Sequence, residues 1–360
     1  MSRCTRSRAA APAAAATALV TLVLAACAPA AGADREPSGP ADELRLGHFA
    51  TVTHAPALVG VGEGLLEARL EAVGTTLSTQ VFNAGPAAIE ALNAGAVDAA
   101  FIGPNPAING FIQSDGDALR IVAGTTSGGA QLVVRDGITT PQDLVGADLA
   151  TPQLGSTQDV ALRSWLADEG LESSISGGGD VAITPTENAQ TLQLFLDGEL
   201  DGAWLPEPWA SRLVVDAGAQ VLVDEVDLWP GGDFLTTHLV VSRQYLAAHP
   251  ESVEALIEGL QDSIAWLDAH PDTAPSAVNA HLEAAGGTPL SEEVLTRAFG
   301  AVSFSTDPLA ETLGTVLADA VAAGTTRDAS LQGIYDLRLL NALRAASGAE
   351  QASAAGLGQE

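Results

Sequence analysis

The sequence predicts an α/β protein of two α/β lobes joined by a hinge of two connections, followed by a helical C-terminal part. Three observations predict it. Short apolar strands alternate with segments of helical spacing from residue 44 onward. A unit of helix, Gly turn, buried strand and Pro-rich loop occurs twice, at residues 84–107 and 187–210. Two polar or β-branched passages, 125–129 and 236–241, sit where the chain would cross between the halves. In the repeat Gly95 aligns with Gly198, Asp98 with Asp201 and Phe101 with Trp204. Ala88, Ile89 and Leu92 in one copy, and Leu192, Phe195 and Leu196 in the other, give the helical period. Both copies end in a loop at the carboxyl end of a strand, the edge at which open α/β sheets bind ligands. Two crossings make the second lobe an insertion in the first, the geometry of proteins that close on a ligand. The expected division is lobe I at 44–129 and 236–344, lobe II at 130–235, and a flexible tail at 345–360.

The chain begins with a basic stretch (Arg3, Arg6, Arg8), an apolar run over residues 9–26, and Leu24-Ala25-Ala26-Cys27. This is the pattern of a secretory signal peptide at residues 1–26. The cysteine after small residues resembles a bacterial lipobox, so lipid attachment at Cys27 is expected. The run is short for a membrane span and contains Pro12. Residues 27–43, rich in Ala, Gly, Pro and Ser, read as a flexible, lipid-anchored tether.

The first strand follows at 44–49, then a helix from Pro56 to about Glu63, with Gly64 as its stop. Strands are expected at 76–82, 120–124, 130–134, 148–151, 181–183, 221–223 and 236–241. Helices are expected after Gly85-Pro86, after Ser156-Thr157 (Val160, Leu162, Trp165 and Leu166 inward) and after Glu187-Asn188. Beyond Tyr245 the pattern is helical: Val253, Leu256, Ile257, Leu260, Ile264 and Leu267 share a face. Further helices are expected near 292–301 and 309–323.

The chain has 360 residues, 47% of them hydrophobic, enough to bury a substantial core. Its 15 basic residues are all arginine and face 45 acidic ones. That balance argues against a nucleic-acid partner, which needs clustered positive charge. Without residues 1–26, 12 basic residues remain against 45 acidic, a charge of −33. Cys4 and Cys27 are the only cysteines, so the mature domain holds no disulfide and no thiolate metal site.

Four strand-to-helix turns supply candidate binding groups: residues 53–56, 83–86, 154–157 and 185–188. Unpaired N–H groups and the helix dipole suit each turn to an anion, although each is equally an ordinary N-cap. His54 at the first turn would be neutral and able to donate one hydrogen bond. Glu207, between Pro206 and Pro208, either meets a ligand amine or braces the chain; Trp209 could wall a pocket. Trp204, inside a strand, reads as core, and His238 as structural. No HExxH, P-loop, G-x-S-x-G or strand-following G-x-G-x-x-G is present, so no metal, cofactor or catalytic residue is expected.

Several stretches together resemble the solute-binding proteins of the nitrate/sulfonate/taurine class of ABC transporters, nearest the aliphatic-sulfonate type. They are Gly47-His48-Phe49, Thr53-His54-Ala55-Pro56-Ala57-Leu58-Val59-Gly60, Gly103-Pro104-Asn105-Pro106-Ala107-Ile108, Pro152-Gln153-Leu154-Gly155-Ser156-Thr157-Gln158-Asp159 and Asp201-Gly202-Ala203-Trp204-Leu205-Pro206-Glu207-Pro208-Trp209. The resemblance covers about residues 44–250. It implies a type II periplasmic-binding-protein fold that closes on a small solute and delivers it to a membrane permease driven by a separate ATPase. It also implies a monomer, held by its lipid at the outer face of the cytoplasmic membrane. An aliphatic sulfonate stands first among solutes; nitrate, bicarbonate and pyrimidine precursors are alternatives, as is an enzyme of cofactor biosynthesis on the same fold. The cysteine-rich signature of the pyrimidine-precursor binders is missing. The expected ligand-binding set is His54, Asn83, Gly85, Pro104, Asn105, Ser127, Gly128, Gly155, Ser156, Thr157, Thr186, Asn188, Glu207 and Trp209. Ser156, Thr157 and the helix N-termini would hold an anionic head, with Glu207 and Trp209 toward the tail or an amine.

Overall fold

The computed structural model describes residues 38–360. The expected signal peptide, the expected lipidation site Cys27 and the expected tether as far as residue 37 lie outside the described residues. Strand β1 (Glu43–Phe49) is followed by a short 3-10 turn and helices α1 (Ala55–Gly62) and α2 (Leu65–Ala72). Then come β2 (Thr76–Phe82), α3 (Gly85–Asn93), β3 (Ala99–Ile102), α4 (Pro104–Gln113) and β4 (Leu119–Gly128). The chain continues with β5 (Ala130–Val134), β6 (Asp148–Thr151), α5 (Thr157–Asp168), β7 (Ala182–Pro185), α6 (Asn188–Asp197), β8 (Gly202–Pro206), α7 (Trp209–Ala217) and β9 (Gln220–Asp224). It returns through β10 (Leu235–Ser242) to α8 (Arg243–Ala248), α9 (Pro250–Ala269), α10 (Ala274–Ala284) and α11 (Glu292–Gly300). It ends with β11 (Val302–Phe304), α12 (Leu313–Ala322), β12 (Tyr335–Asp336), α13 (Arg338–Ser347) and β13 (Gly358–Gln359).

Two sheets result. The first runs β13-β12-β4-β10-β3-β1-β2, with β11 also on β4; the second runs β7-β6-β8-β5-β9. Strands β1 and β2 pair in parallel from Glu43↔Thr76 to Phe49↔Phe82. Such pairs need the helical crossovers that α1 and α2 supply. Strand β10 lies antiparallel between β3 and β4. Leu44, Leu46, Ile102, Leu239 and Val240 are fully buried in the first core; Leu132, Leu149 and Trp204 are buried in the second.

The chain changes sheets between β4 and β5. Gly128 and Gly129 both have φ +75°, a left-handed conformation that glycine adopts without strain. A side chain on Gly128 would begin 2.6 Å from the Ala301 carbonyl oxygen, so the crossing is also too tight for any other residue. The polar passage 125–129 is therefore mostly strand, with the turn confined to its two glycines.

Two expectations are corrected. The segment 345–360 is not a loose tail. Ala352 and Ala354 are buried, and the Asn341 side chain accepts from Ala352 N (2.8 Å) and donates to its carbonyl (3.0 Å). The segment then ends as β13, parallel to β12. Small residues joined through backbone groups leave no hydrophobic period to read. The tether is also fixed over its last residues. Ser38 N donates to Ala248 O (2.8 Å), and Ala41 is buried with its N–H on Ser252 Oγ (2.9 Å).

The C-terminal helices do not stay with the first sheet alone: α11 packs on α7 and α12 on α5. Among the described residues no helix is long and apolar enough to cross a membrane.

Candidate functional site

Between the sheets lies a narrow cleft lined by residues of both lobes. Five helices begin at it. His54 precedes α1, Ala84 and Gly85 open α3, Gly103 precedes α4, Ser156 and Thr157 open α5, and Asn188 is the first residue of α6. The topology requires this, because each helix follows the carboxyl end of a parallel strand and those ends face one another. Phe49, Pro152 and Pro206, at or just beyond the ends of β1, β6 and β8, add an apolar wall. Among the described residues no Asp, Glu, Lys or Arg lines the cleft.

The turn into α5 is built most firmly. Asp159 is fully buried; its Oδ1 accepts from Thr151 Oγ1 (2.9 Å), and its Oδ2 accepts from Gly155 N (3.0 Å) and Arg163 Nε (3.1 Å). The charge of Asp159 is thus held by Arg163, itself buried, and not offered to the cleft. Ser156 Oγ caps the helix by accepting from Asp159 N (3.3 Å). Thr157 Oγ1 and Asn188 Oδ1 are buried without a partner, an uncommon condition that a ligand or water would relieve.

His54 is buried and stacked on Phe49 at 4.2 Å between ring centroids. Burial, and then the neighbouring His48, hold its pKa well below the ordinary histidine value. The ring is therefore neutral at physiological pH. Its Nδ1 accepts from Phe49 N (3.3 Å), which leaves Nε2 to carry the proton.

Of the expected set, His54, Asn83, Gly85, Ser156, Thr157 and Asn188 come together at this cleft. The others lie elsewhere. Pro104 and Asn105 are buried in the first turn of α4 but do not line it. Ser127 and Gly128 are in β4, where the Gly128 carbonyl accepts from Thr236 Oγ1. Gly155 faces a neighbouring chamber. Thr186 donates through its hydroxyl to Thr184 O (3.0 Å). Trp209 opens α7 with the Arg212 guanidinium 4.9 Å above its ring.

Glu207 is fully buried. Its Oε1 accepts from Arg297 Nη1 (3.0 Å) and its Oε2 from Ser211 N (3.1 Å), while its own N–H donates to Gly129 O (2.8 Å). Burial pushes its pKa up, against the opposing pull of Ser211 and Arg297. Both carboxylate oxygens are thus engaged away from the cleft.

Phe49, Thr51, Thr53, Pro152, Gln158 and Thr236 also line the cleft; all but Thr51 lie in stretches that the sequence singled out, yet none stood in the expected ligand-binding set. Most stand within a few residues of a strand's carboxyl end, a signal available from the strand boundaries alone.

Residues 38–283 match the NMT1-like family. The chain belongs to that family. The taurine-binding periplasmic protein of Escherichia coli K12 is 26% identical over 202 residues, 55% of this chain and 60% of that protein. Among solved structures, the alkanesulfonate-binding protein of Xanthomonas axonopodis pv. citri bound to MOPS superimposes with a TM-score of 0.65 at 24% identity. That likeness covers 80% of this chain and 94% of the other. The periplasmic nitrate-binding protein of Synechocystis PCC 6803 gives 0.68 at 15% identity, over 82% and 84%. The fold is the type II periplasmic-binding-protein fold, and the resemblance to the nitrate/sulfonate/taurine class holds.

Proposed function

We propose that this chain is the solute receptor of an ABC importer and captures a small organic anion, an aliphatic sulfonate first among them, in the cleft between the sheets. One observation carries the reading: five helices direct their first turns into a cleft that, among the described residues, contains no charged side chain. The positive ends of the dipoles and the free N–H groups favour an anion there. Thr157 carries a buried hydroxyl that lacks a partner and can donate, and neutral His54 adds a second donor. The relatives named for taurine, alkanesulfonate and nitrate support the same class. The reading is of a binding protein and not an enzyme: among the described residues His54 is the one titratable side chain lining the cleft, and its Nδ1 is already engaged by the backbone.

The signal-like start and Cys27 support secretion and lipid anchoring outside the cytoplasmic membrane, with a permease and its ATPase as partners. The binding reading is tested by calorimetric titration of the purified protein with ethanesulfonate, nitrate and a cationic control. Saturable binding of the sulfonate is expected. Binding of the cation alone would overturn the assignment. For the anchor, Cys27→Ser is expected to release the protein from the membrane fraction, and unchanged membrane retention would refute it.

A further inference from the structure

The turn into α5 rests on a buried ion pair that does not itself reach the cleft. Asp159 and Arg163 stand four residues apart on one face of the helix. Arg163 Nε meets Asp159 Oδ2 and Arg163 Nη2 meets Asp159 Oδ1, each at 3.1 Å, a bidentate pairing. Among the described residues it is the one ion pair with both side chains almost wholly inaccessible, 3% and 0% exposed. Neither residue lines the cleft, although Ser156, Thr157 and Gln158, directly before Asp159, all do.

Stability alone is a poor reason for such a pair. Two charges taken out of water lose hydration that their mutual attraction barely restores, and well-packed apolar residues of similar volume often serve as well. Arg163 moreover keeps a buried Nη1 without a partner, a further cost. The reason is visible at Asp159. Both of its oxygens are engaged before Arg163 is counted: Oδ1 accepts from Thr151 Oγ1 at the end of β6 (2.9 Å), and Oδ2 from Gly155 N (3.0 Å). The carboxylate thereby fixes both ends of the loop 151–155, and with it the place of the Thr157 hydroxyl. It also brings a negative charge to the third residue of a helix whose positive end faces the cleft. That charge suits the helix but repels an anion held at its first turn. The guanidinium cancels it from one turn further along α5.

We propose that Arg163 is a positioning residue for anion capture: it neutralises the carboxylate that fixes the loop 151–155, so that Thr157 is held in place without a negative charge acting on the ligand. The affinity of the cleft is then set in part by the net charge buried behind it, through groups that do not touch the ligand. The inference rests on the anion reading of the cleft.

Calorimetric titration of ethanesulfonate into the wild type and three variants tests it, with melting temperatures measured alongside. Arg163→Met leaves a bare carboxylate behind the turn, Asp159→Asn leaves a bare guanidinium, and the double variant Asp159→Asn/Arg163→Met leaves neither charge. Each single variant strands a buried charge and is expected to melt below the double variant. Arg163→Met is expected to bind ethanesulfonate at least about tenfold more weakly than the wild type. The double variant is expected to recover to within about threefold of the wild type. Asp159→Asn is expected to bind at least as tightly as the double variant, in spite of its lower melting temperature. A role confined to structure predicts instead that affinity follows the melting temperature, so that both single variants bind weakly. That result, or a double variant that binds no better than Arg163→Met, would overturn the inference. Should Arg163→Met not fold, the remaining pair still decides, because weaker binding by Asp159→Asn than by the double variant has the wrong sign for charge compensation. A wild type that binds neither ethanesulfonate nor nitrate would instead remove the anion reading itself.

Discussion

Glu207 sits in the most distinctive motif of the chain, yet its side chain holds the protein together internally. Arg297 reaches it from α11, and Ser211 N–H from the first turn of α7. Glu207→Gln keeps the shape and one acceptor but removes the charge opposite Arg297, whose side chain is 25% exposed and can still be hydrated. The expected loss is about 2 kcal/mol of stability, typical of a hydrogen bond to a charged group, with the ranking of ligands unchanged. Denaturant melts and titrations measure both, and an altered ranking would place Glu207 at the ligand. The flanking prolines made a rigid carboxylate legible in the sequence; its direction was not, because Arg297 lies 90 residues away in the chain. Glu225 is a second case. It is buried, accepts from Trp204 Nε1 (2.8 Å), and is pushed up to about 7, chiefly by burial. Below its ordinary value of 4.5 it is protonated in both folded and unfolded chains. As pH rises from there to about 7 the unfolded chain ionises first, and stability is lost. His238, lowered by burial to about 4, acts in the opposite sense, losing stability as pH falls from 6.5 toward 4. Glu225→Gln, which keeps an acceptor for Trp204, is expected to raise the melting temperature above pH 7 and to have no effect below about pH 4.5. The gain at pH 8 is at most roughly 3 kcal/mol, since each tenfold change in proton affinity is worth about 1.4 kcal/mol. A uniform gain at all pH values would mean that packing, not ionisation, is the cause.

Among the elements, the start of α4 meets the start of α5 across the cleft. A side chain on Gly103 would begin 2.3 Å from Thr157 Oγ1, so the approach of the two turns depends on this glycine. Gly103 has φ −71°, which any residue accepts, so alanine there disturbs the approach and not the backbone. Gly103→Ala is expected to weaken ethanesulfonate binding at least tenfold while the ligand-free melting temperature moves by less than about 2 °C, the scale of a surface change. A large drop in melting temperature with affinity intact would show that the glycine serves folding instead. Elements with a strong local signature were legible from the sequence. The strand 76–82 has its observed limits, and prolines mark the first turns of α1, α3 and α4. Helix α2 was passed over because Gly64 reads as a stop; it is a joint instead, with φ +72°, between two short helices. The six cleft residues that the turns predicted share one property: each stands at or just before a helix start. The expected residues that fall outside the cleft include Pro104, Asn105 and Trp209, which also stand at helix starts, and Ser127 and Gly128, which end a strand; nearness to a helix start is therefore not enough, because direction is fixed by tertiary packing, which spacing along the chain does not carry.

At the scale of the whole molecule, two sheets exchange the chain at residues 128–130 and again on entry to β10, and their strand ends face a common cleft. That much follows from the alternation and the two crossings. The attachment of α11 and α12 to the second lobe does not, since it depends on contacts such as Arg297 with Glu207 that no local pattern announces. The same scale raises an electrostatic conflict. The chain carries a formal charge of −30, while its cleft is lined by neutral groups. An approaching anion therefore meets repulsion from the distant acids first and attraction from the helix ends only at short range. Screening weakens the first far more than the second, because the Debye length falls from about 30 Å at 0.01 M salt to about 8 Å at 0.15 M. Stopped-flow measurements are thus expected to show the association rate of ethanesulfonate rising severalfold between 0.01 and 0.15 M sodium chloride, with dissociation changing less than twofold. Competition by chloride for the cleft would have the opposite sign, lowering apparent association as salt increases. A falling rate that persists when chloride is replaced by a bulkier anion would mean that a local positive field at the cleft mouth, and not the net charge, governs capture.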